Sequence, residues 1–365
     1  MPSHHLIPTP DSVHWGKIPN RSTRPILSVA SGDTVVFDTL SHEGLLEDQG
    51  RDPVRYFQQF GIPSEEVLPD AIALAASPLP HDFDKDGVHI LLGPVHVAGA
   101  ESGDVLQIDV LSLQPRVRYG VVSNRQQRGA LPGEFPERLT RLEGACPERP
   151  ERYGNVSVFM PIQQEANRWV GVARQGDREI VFPLNPFLGT MGVVPDSDDN
   201  WHSAPPARIG GNLDINELGA GSTLYLPVEV SGALFFAGDP HFAQGDGEVA
   251  LSALEGSLSA TLRLSVLKQG NPAIPPIGDD GLRTPFAETK THWLAIGLDE
   301  DLNEAMRMAV RQSVEFLSRR FGIARHLAYA YCSAAVDYEV SQVVDMTKGV
   351  HGLIRKADFA SFLSS

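Results

Sequence analysis

Cysteine is nearly missing from this chain of 365 residues, which has only Cys146 and Cys332. Two thiols cannot build a Cys-rich metal centre, and their spacing suggests no disulfide, so two reduced thiols in a cytosolic protein are expected. Basic residues are outnumbered: Lys and Arg total 30 against 46 Asp and Glu, a formal net charge of −16. Nucleic acid is therefore not an expected partner, because phosphate binding needs a basic face. An anionic membrane surface is disfavoured for the same reason. No apolar run reaches the ~18 residues that would mark a membrane span. The start, Met1-Pro2-Ser3-His4-His5, has no basic segment leading into an apolar one, so no secretory leader is expected. Nucleophile motifs are missing too. There is no Gly-x-Ser-x-Gly elbow in a strand-to-helix context, Ser222 and Ser252 fall in no Ser-Ser-Lys arrangement, and Cys146 has no evident activating partner.

Glycine (34) and proline (28) are plentiful, and apolar runs are short, the signature of many short strands joined by turns. Strands are predicted at 26–29 and 34–39 around Ser31-Gly32-Asp33, and an echo follows at 95–98 and 105–111 around Glu101-Ser102-Gly103-Asp104. Leu106, Ile108 and Val110 alternate with Gln107 and Asp109, the period of a half-buried strand. Further strands are predicted at 156–161, 223–230, 233–236 and 259–266. The stretch 40–80 reads as irregular or partly helical, and the Arg/Pro/Gly/Glu-rich 125–152 as a long surface loop or lid. Late in the chain the period changes: Met306, Val310, Val314, Leu317 and Phe321 recur at helical spacing, with acidic residues before them and Arg319-Arg320 and Gly322 closing the last turn. Helices are also predicted at 325–337 and 356–363. The fold class is α+β, mainly β, with helices towards the C-terminus. Three parts are expected: a β-rich 1–165 with the long loop, a β-rich 166–298 carrying the site, and a helical 299–365.

The chemistry concentrates between Gly210 and Glu248. Asp214, Asp239, Asp246 and Glu248, with the imidazole of His241, fall beside glycines or turn-forming residues. Oxygen ligands with one imidazole suit zinc or calcium. Each residue also has a plainer role, since Asp is common in glycine turns and a lone His is often only hydrogen-bonded.

Several blocks resemble the acetamidase/formamidase family. They are Gly32-Asp33-Thr34-Val35-Val36-Phe37-Asp38, the segment from Gly93-Pro94 to Gly103-Asp104-Val105-Leu106, Asn185-Pro186-Phe187-Leu188-Gly189-Thr190-Met191-Gly192, the stretch Gly210-Gly211-Asn212-Leu213-Asp214 through Gly245-Asp246-Gly247-Glu248, and Ser341-Gln342-Val343-Val344-Asp345 with Gly349-Val350-His351. The resemblance implies a β-sandwich or barrel-like fold, hydrolysis of short aliphatic amides such as formamide or acetamide to ammonia and a carboxylate, metal ions near the carboxylates, and a homodimer or larger homo-oligomer in the cytoplasm. On that basis Asp214, His241 and Glu248 are expected as ligands of a divalent metal, zinc foremost. Asp239 is expected either to support His241 or to hold a second, harder ion such as calcium. Asp246 is the expected general base. Asn212, with the backbone of Gly210 and Gly211, is expected to hold the developing oxyanion, and His96 to reach the substrate. His351 and Asp337 are lesser candidates. Two departures from the family pattern, Ile209 and Ala250-Leu251-Ser252, leave open an alternative: a non-catalytic member that binds a small ligand or metal. A cupin-like oxygenase would need two histidines and a carboxylate, and only His241 lies in the key segment.

Overall fold

The alternating stretches become strands of two large sheets in the computed structural model, which describes residues 3–166, 168–279 and 281–363. One sheet runs, in spatial order, Ser3–Leu6, Asp33–Asp38, Leu258–Leu267, Val105–Pro115, Thr223–Pro227, Phe286–Glu288, His292–Asp299, Lys348–Arg355, Asp337–Gln342. The other runs Arg178–Pro183, Arg168–Gln175, Val156–Glu165, Tyr119–Asn124, Leu254–Glu255, Phe235–Ala243, Phe187–Val193, Gly210–Asn212. Ile90–Val97 joins this second sheet beside Phe235–Ala243 and pairs in turn with Val13–Trp15 and Leu27–Val29. Both sheets are open, so the architecture is sandwich-like and the barrel form of the expectation does not occur. Both also draw strands from either side of the expected division at 165/166, and the first sheet from either side of 298/299 as well.

Alternation decides which face each strand buries. In Leu258–Leu267 the residues Leu258, Ala260, Leu262 and Leu264 are buried, while Thr261 and Arg263 between them are not. The inner faces of the two sheets share one core, in which Phe37 meets Phe235 edge to face at 5.6 Å. Each such aromatic contributes roughly 1.5–3 kcal/mol by leaving water.

The helix Leu302–Phe321 lies where the late change of period places it. Asp301 caps it by accepting from the Glu304 N–H, and Gly322 closes it with φ 66°. Its buried stripe keeps Val314 and Leu317 of the expected one but adds Ala305, Ala309 and Phe316, whereas Met306 is 38% exposed. The reason is close approach to the sheet. A Cβ on Gly297 would lie 2.0 Å from the Ala305 carbonyl oxygen, so the helix rests on the strand through small residues. The second helix, Arg325–Ala335, and a short turn Ala360–Leu363 complete this layer. The region 40–80 holds the short helices Pro53–Gln58 and Pro69–Ala75. Between Asn124 and Val156 the chain forms no strand, and only the turn Pro150–Tyr153 is helical.

Candidate metal centre

Phe235–Ala243 is the strand that organises the site. Its period of two puts Asp239 and His241 on one face, and Leu254–Glu255 pairs beside it with Glu255 opposite His241. The loop after Asp33–Asp38, anchored by the Thr39 N–H on the Leu258 carbonyl at 2.8 Å, brings in His42 and Glu43. Asp214 follows the short strand Gly210–Asn212 and Glu248 follows the turn after Phe235–Ala243. Asp345 arrives from the turn joining the last two strands, Asp337–Gln342 and Lys348–Arg355. Three of these acids hold left-handed backbone: φ is 51° at Asp214, 54° at Asp239 and 46° at Glu248. Non-glycine residues take that conformation at a cost of order 1–3 kcal/mol each, so the fold must hold them there.

The side chains converge. His241 Nε2 lies 3.0 Å from Asp239 and 3.2 Å from Glu255. His42 Nδ1 is 4.0 Å from both Asp239 and Glu255. His89 Nε2 is 3.8 Å from Asp239, and His241 Nδ1 is 4.0 Å from Asp214. Two triads, His42/Asp239/Glu255 and Asp214/His241/Glu248, each offer ligand atoms within 4.8 Å of one another, and all six residues are buried. One face of the cluster opens to a cavity of about 700 Å³ lined among others by His42, His89, Arg128, Asn212, Asp239, Glu248, Glu255 and Asp345.

Two observations show that these residues fit a cation. Among the described residues, both ring nitrogens of His42 and one oxygen each of Asp214, Asp239, Glu248 and Glu255 are buried without a hydrogen-bond partner, a cost of ~1–3 kcal/mol apiece unless something else satisfies them. The cluster is also built around a gap at Gly189, where a Cβ would stand 2.4 Å from Asp239 Oδ2, 2.5 Å from Asp214 Oδ1 and 2.8 Å from His241 Cε1. The His241 Nδ1 is bonded to Gln244 Oε1 at 3.0 Å, which leaves Nε2 as the free lone pair, directed at Asp239 and Glu255.

Charge makes the same point. Burial, then the neighbouring Glu248, holds the Asp214 carboxyl well above its usual range, and burial with Asp345 does so for Glu248. Burial pushes Asp345 up to about 7 and also raises Glu255. Burial opposes ionisation of Asp239 as well, but His241 and His89 outweigh it and hold that carboxylate below its ordinary value. His89 is lowered to about 4 by burial and is neutral at pH 7. Several acids packed this closely must take up protons or share a cation. Behind them Arg125 is buried against Asp48 at 2.9 Å and Glu43 at 3.5 Å, and Glu43 in turn lies 3.1 Å from His42 Nε2.

The fold therefore gathers Asp214, Asp239, His241 and Glu248. Asn212 also lines the cavity, but its amide is committed elsewhere. It donates to Asp214 at 2.7 Å and Asp345 at 3.0 Å, and its oxygen accepts from Thr190 at 2.6 Å. No donor is left for an oxyanion, and Asn212 acts by orienting the two carboxylates. Gly210 gives its N–H to the Ala207 carbonyl, and neither Gly210 nor Gly211 lines the cavity. His96 is remote from it, bonded to Ser28 Oγ at 3.0 Å with its ring against Gly232. Asp246 is exposed and outside the cavity, and its Oδ1 accepts from Asn216 at 3.1 Å. The intervening Gly247, with φ 100°, turns Glu248 inward and Asp246 outward, and its N–H is pinned to the Ser341 carbonyl at 3.1 Å. Ile209 is a fully buried core residue, whereas Leu251 and Ser252 line the cavity.

Sequence reasoning missed His42, His89, Glu255 and the buried Arg125. His42-Glu43 sits in the region read as irregular, and His89 lies just before a strand predicted to begin at 95. Asp345 lay inside a block quoted for the resemblance but was given no role.

The sandwich and its cluster define a β-rich protein with buried histidine–carboxylate groups, of a kind that could hold a metal ion, beside a cavity of about 700 Å³. A family model described as the Acetamidase/Formamidase family matches residues 197–355. The acetamidase of Mycolicibacterium smegmatis is 26% identical over 298 residues, 68% of this chain and 73% of that protein. The formamidase of Methylophilus methylotrophus is 26% identical over 314 residues, 73% of this chain and 75% of its own length. The crystal structure of an acetamidase from Bacillus halodurans superposes with a TM-score of 0.72 at 25% identity, covering 98% of this chain and 99% of that one. Residues 197–355 are thus similar to the acetamidase/formamidase family, and the fold of the chain is that of the solved acetamidases.

Proposed function

We propose that this protein hydrolyses short linear amides, formamide and acetamide foremost, in a reaction that depends on divalent metal. The observation that carries the metal dependence is the cluster of buried, unpartnered ligand atoms around the gap at Gly189. The amide chemistry is supported by relatives named acetamidase and formamidase, which do not favour the non-catalytic alternative. His42, Asp239, Glu255 and the Nε2 of His241 supply two imidazoles and two carboxylates, a donor set for zinc. Asp214 and Glu248 supply oxygen alone, which suits a second, harder ion such as calcium. A divalent cation at this position supplies polarisation of the carbonyl and a bound water that ionises near neutral pH.

The chain's own residues do the rest. Asp345 belongs to neither triad, lines the cavity, is held by Asn212 and is pushed up to about 7 by burial. It therefore takes the place first expected for Asp246 as carrier of the proton to the departing ammonia. Neutral His89, braced by Ser203 at 2.9 Å, lines the cavity with its Nε2 3.8 Å from Asp239. Both cysteines are free. No described helix is long and apolar enough to cross a membrane. A homo-oligomer belongs to this reading through the family resemblance.

The test is ammonia release from a panel of C1 to C4 amides by zinc-loaded protein. Turnover of formamide or acetamide, suppressed by a chelator and restored by zinc, is the expected result. Loaded protein that turns over no member of the panel would overturn the proposal.

A further inference from the structure

A third group of ligand atoms lies outside the cavity, and nothing in the proposed reaction uses it. Glu217, from the loop after Gly210–Asn212, meets Glu339 and His351 of the last two strands, and their ligand atoms fall within 4.8 Å of one another. Glu339 and His351 face each other as cross-strand partners. His351 is fully buried, while Glu217 and Glu339 expose 19% and 36% of their side chains, so the group is partly open to solvent. None of the three lines the catalytic cavity.

The decisive feature is the ring of His351. Its Nδ1 is bonded to Ser341 Oγ at 2.8 Å. With the hydroxyl accepting there, the proton sits on Nδ1 and Nε2 presents its lone pair. That Nε2 lies 3.0 Å from Glu217 Oε2 and 3.6 Å from Glu339 Oε2, yet it is hydrogen-bonded to neither, and Glu217 Oε2 is likewise buried without a hydrogen-bond partner among the described residues. A tetrahedral zinc with ligands at its usual bond lengths sets neighbouring donors roughly 3.4 Å apart. The two separations bracket that value.

We propose that Glu217, Glu339 and His351 form a further zinc site, independent of the cavity. Three protein ligands leave one position for water. The site clasps the loop of Glu217 to the C-terminal hairpin. The same hairpin accepts Gln244 Nε2 on the Ser341 carbonyl at 3.1 Å, and Gln244 holds His241. The clasp thus braces the metal centre without touching substrate.

The experiment counts zinc bound by the chelator-stripped full-length chain, titrated against a chromophoric zinc chelator. Glu339→Gln and Glu217→Gln, both at partly exposed positions, are each expected to bind one equivalent fewer than the wild type. Gly189→Ala, which fills the gap in the cavity cluster, is expected to keep the clasp equivalent, and zinc is expected to raise its unfolding temperature. Adding Glu339→Gln to Gly189→Ala should remove both the binding and the rise. An unchanged zinc count in Glu339→Gln, or a zinc-insensitive unfolding temperature in folded Gly189→Ala, would overturn the assignment and leave a protonated histidine paired to two carboxylates. Because the clasp is read in the Gly189→Ala background, failure of the amide assay and failure of this proposal are separately visible.

Discussion

Replacing Glu43 by glutamine removes one negative charge from a place where water cannot compensate. The carboxylate is buried between Arg125, His42 and the hydroxyl of Ser123, which donates to it at 2.7 Å. Burial alone would raise its pKa, but Arg125 and then His42 outweigh that and draw it down from 4.5 to about 2. A folded-state pKa below the unfolded value means that the unfolded chain binds more protons, so the group stabilises the fold above pH 4.5, and this is lost as pH falls through 2. The difference of about 2.5 units corresponds to roughly 3 kcal/mol at pH 7. Glu43→Gln should therefore lower the free energy of urea unfolding by about 3 kcal/mol at pH 7, and the gap should narrow to about half by pH 3. Asp48→Asn provides the comparison. Asp48 is the nearer partner of Arg125, at 2.9 Å against 3.5 Å for Glu43. Its loss should cost about 3–5 kcal/mol, the range for stranding a buried charge. A Glu43→Gln protein within about 0.5 kcal/mol of wild type at pH 7 would refute this reasoning, since ordinary surface substitutions fall in that range. So would a gap that does not narrow in acid.

Two further outcomes follow from the same structure. Gly189→Ala should keep the far-UV circular dichroism of the wild type, because Gly189 sits in a strand at an ordinary negative φ, yet lower kcat/KM for acetamide at least about a hundredfold by occupying the cation's place; unchanged turnover would show that the gap is not used. Chelator-treated protein should lose stability as pH rises from 6.5 to 9. Burial opposes the charge on His351, but the facing carboxylates of Glu217 and Glu339 lift its pKa from 6.5 to about 9, so its contribution is fully present below 6.5 and gone above 9, roughly 3 kcal/mol in all. Urea midpoints at the two pH values, in wild type and His351→Asn, check this, and equal slopes in the two proteins would refute it.

The β-rich sandwich was legible because alternation is a local property: 259–266 and 105–111 announce themselves within a few residues. The main helix was legible through its period and cap, but its rotation was not, since the contact of Ala305 with Gly297 depends on a strand that sequence alone does not place beside it. The same divide runs through the site. Asp214, Asp239, His241 and Glu248 are close in sequence and were visible as a group. His42, Glu255 and Asp345 reach it through strand pairing and a distant turn, and no local pattern marks them. Asp246 misled because adjacency in sequence suggested shared chemistry, whereas Gly247 sends the two acids of Gly-Asp-Gly-Glu in opposite directions. Asn212 lines the cavity, but its three hydrogen bonds, which commit it to Asp214, Asp345 and Thr190, are invisible without coordinates.

The position of Asp345, far along the chain from His42, has a consequence for how the protein is made. A ribosome releases His42 first, the carboxylates of the middle much later, and the turn that carries Asp345 after both. The growing polypeptide can lay down most of both sheets before the wall of the cavity exists. A nascent chain therefore carries histidines and acids without the enclosure that organises them, and the pocket is complete only once the turn of Asp345 has been made.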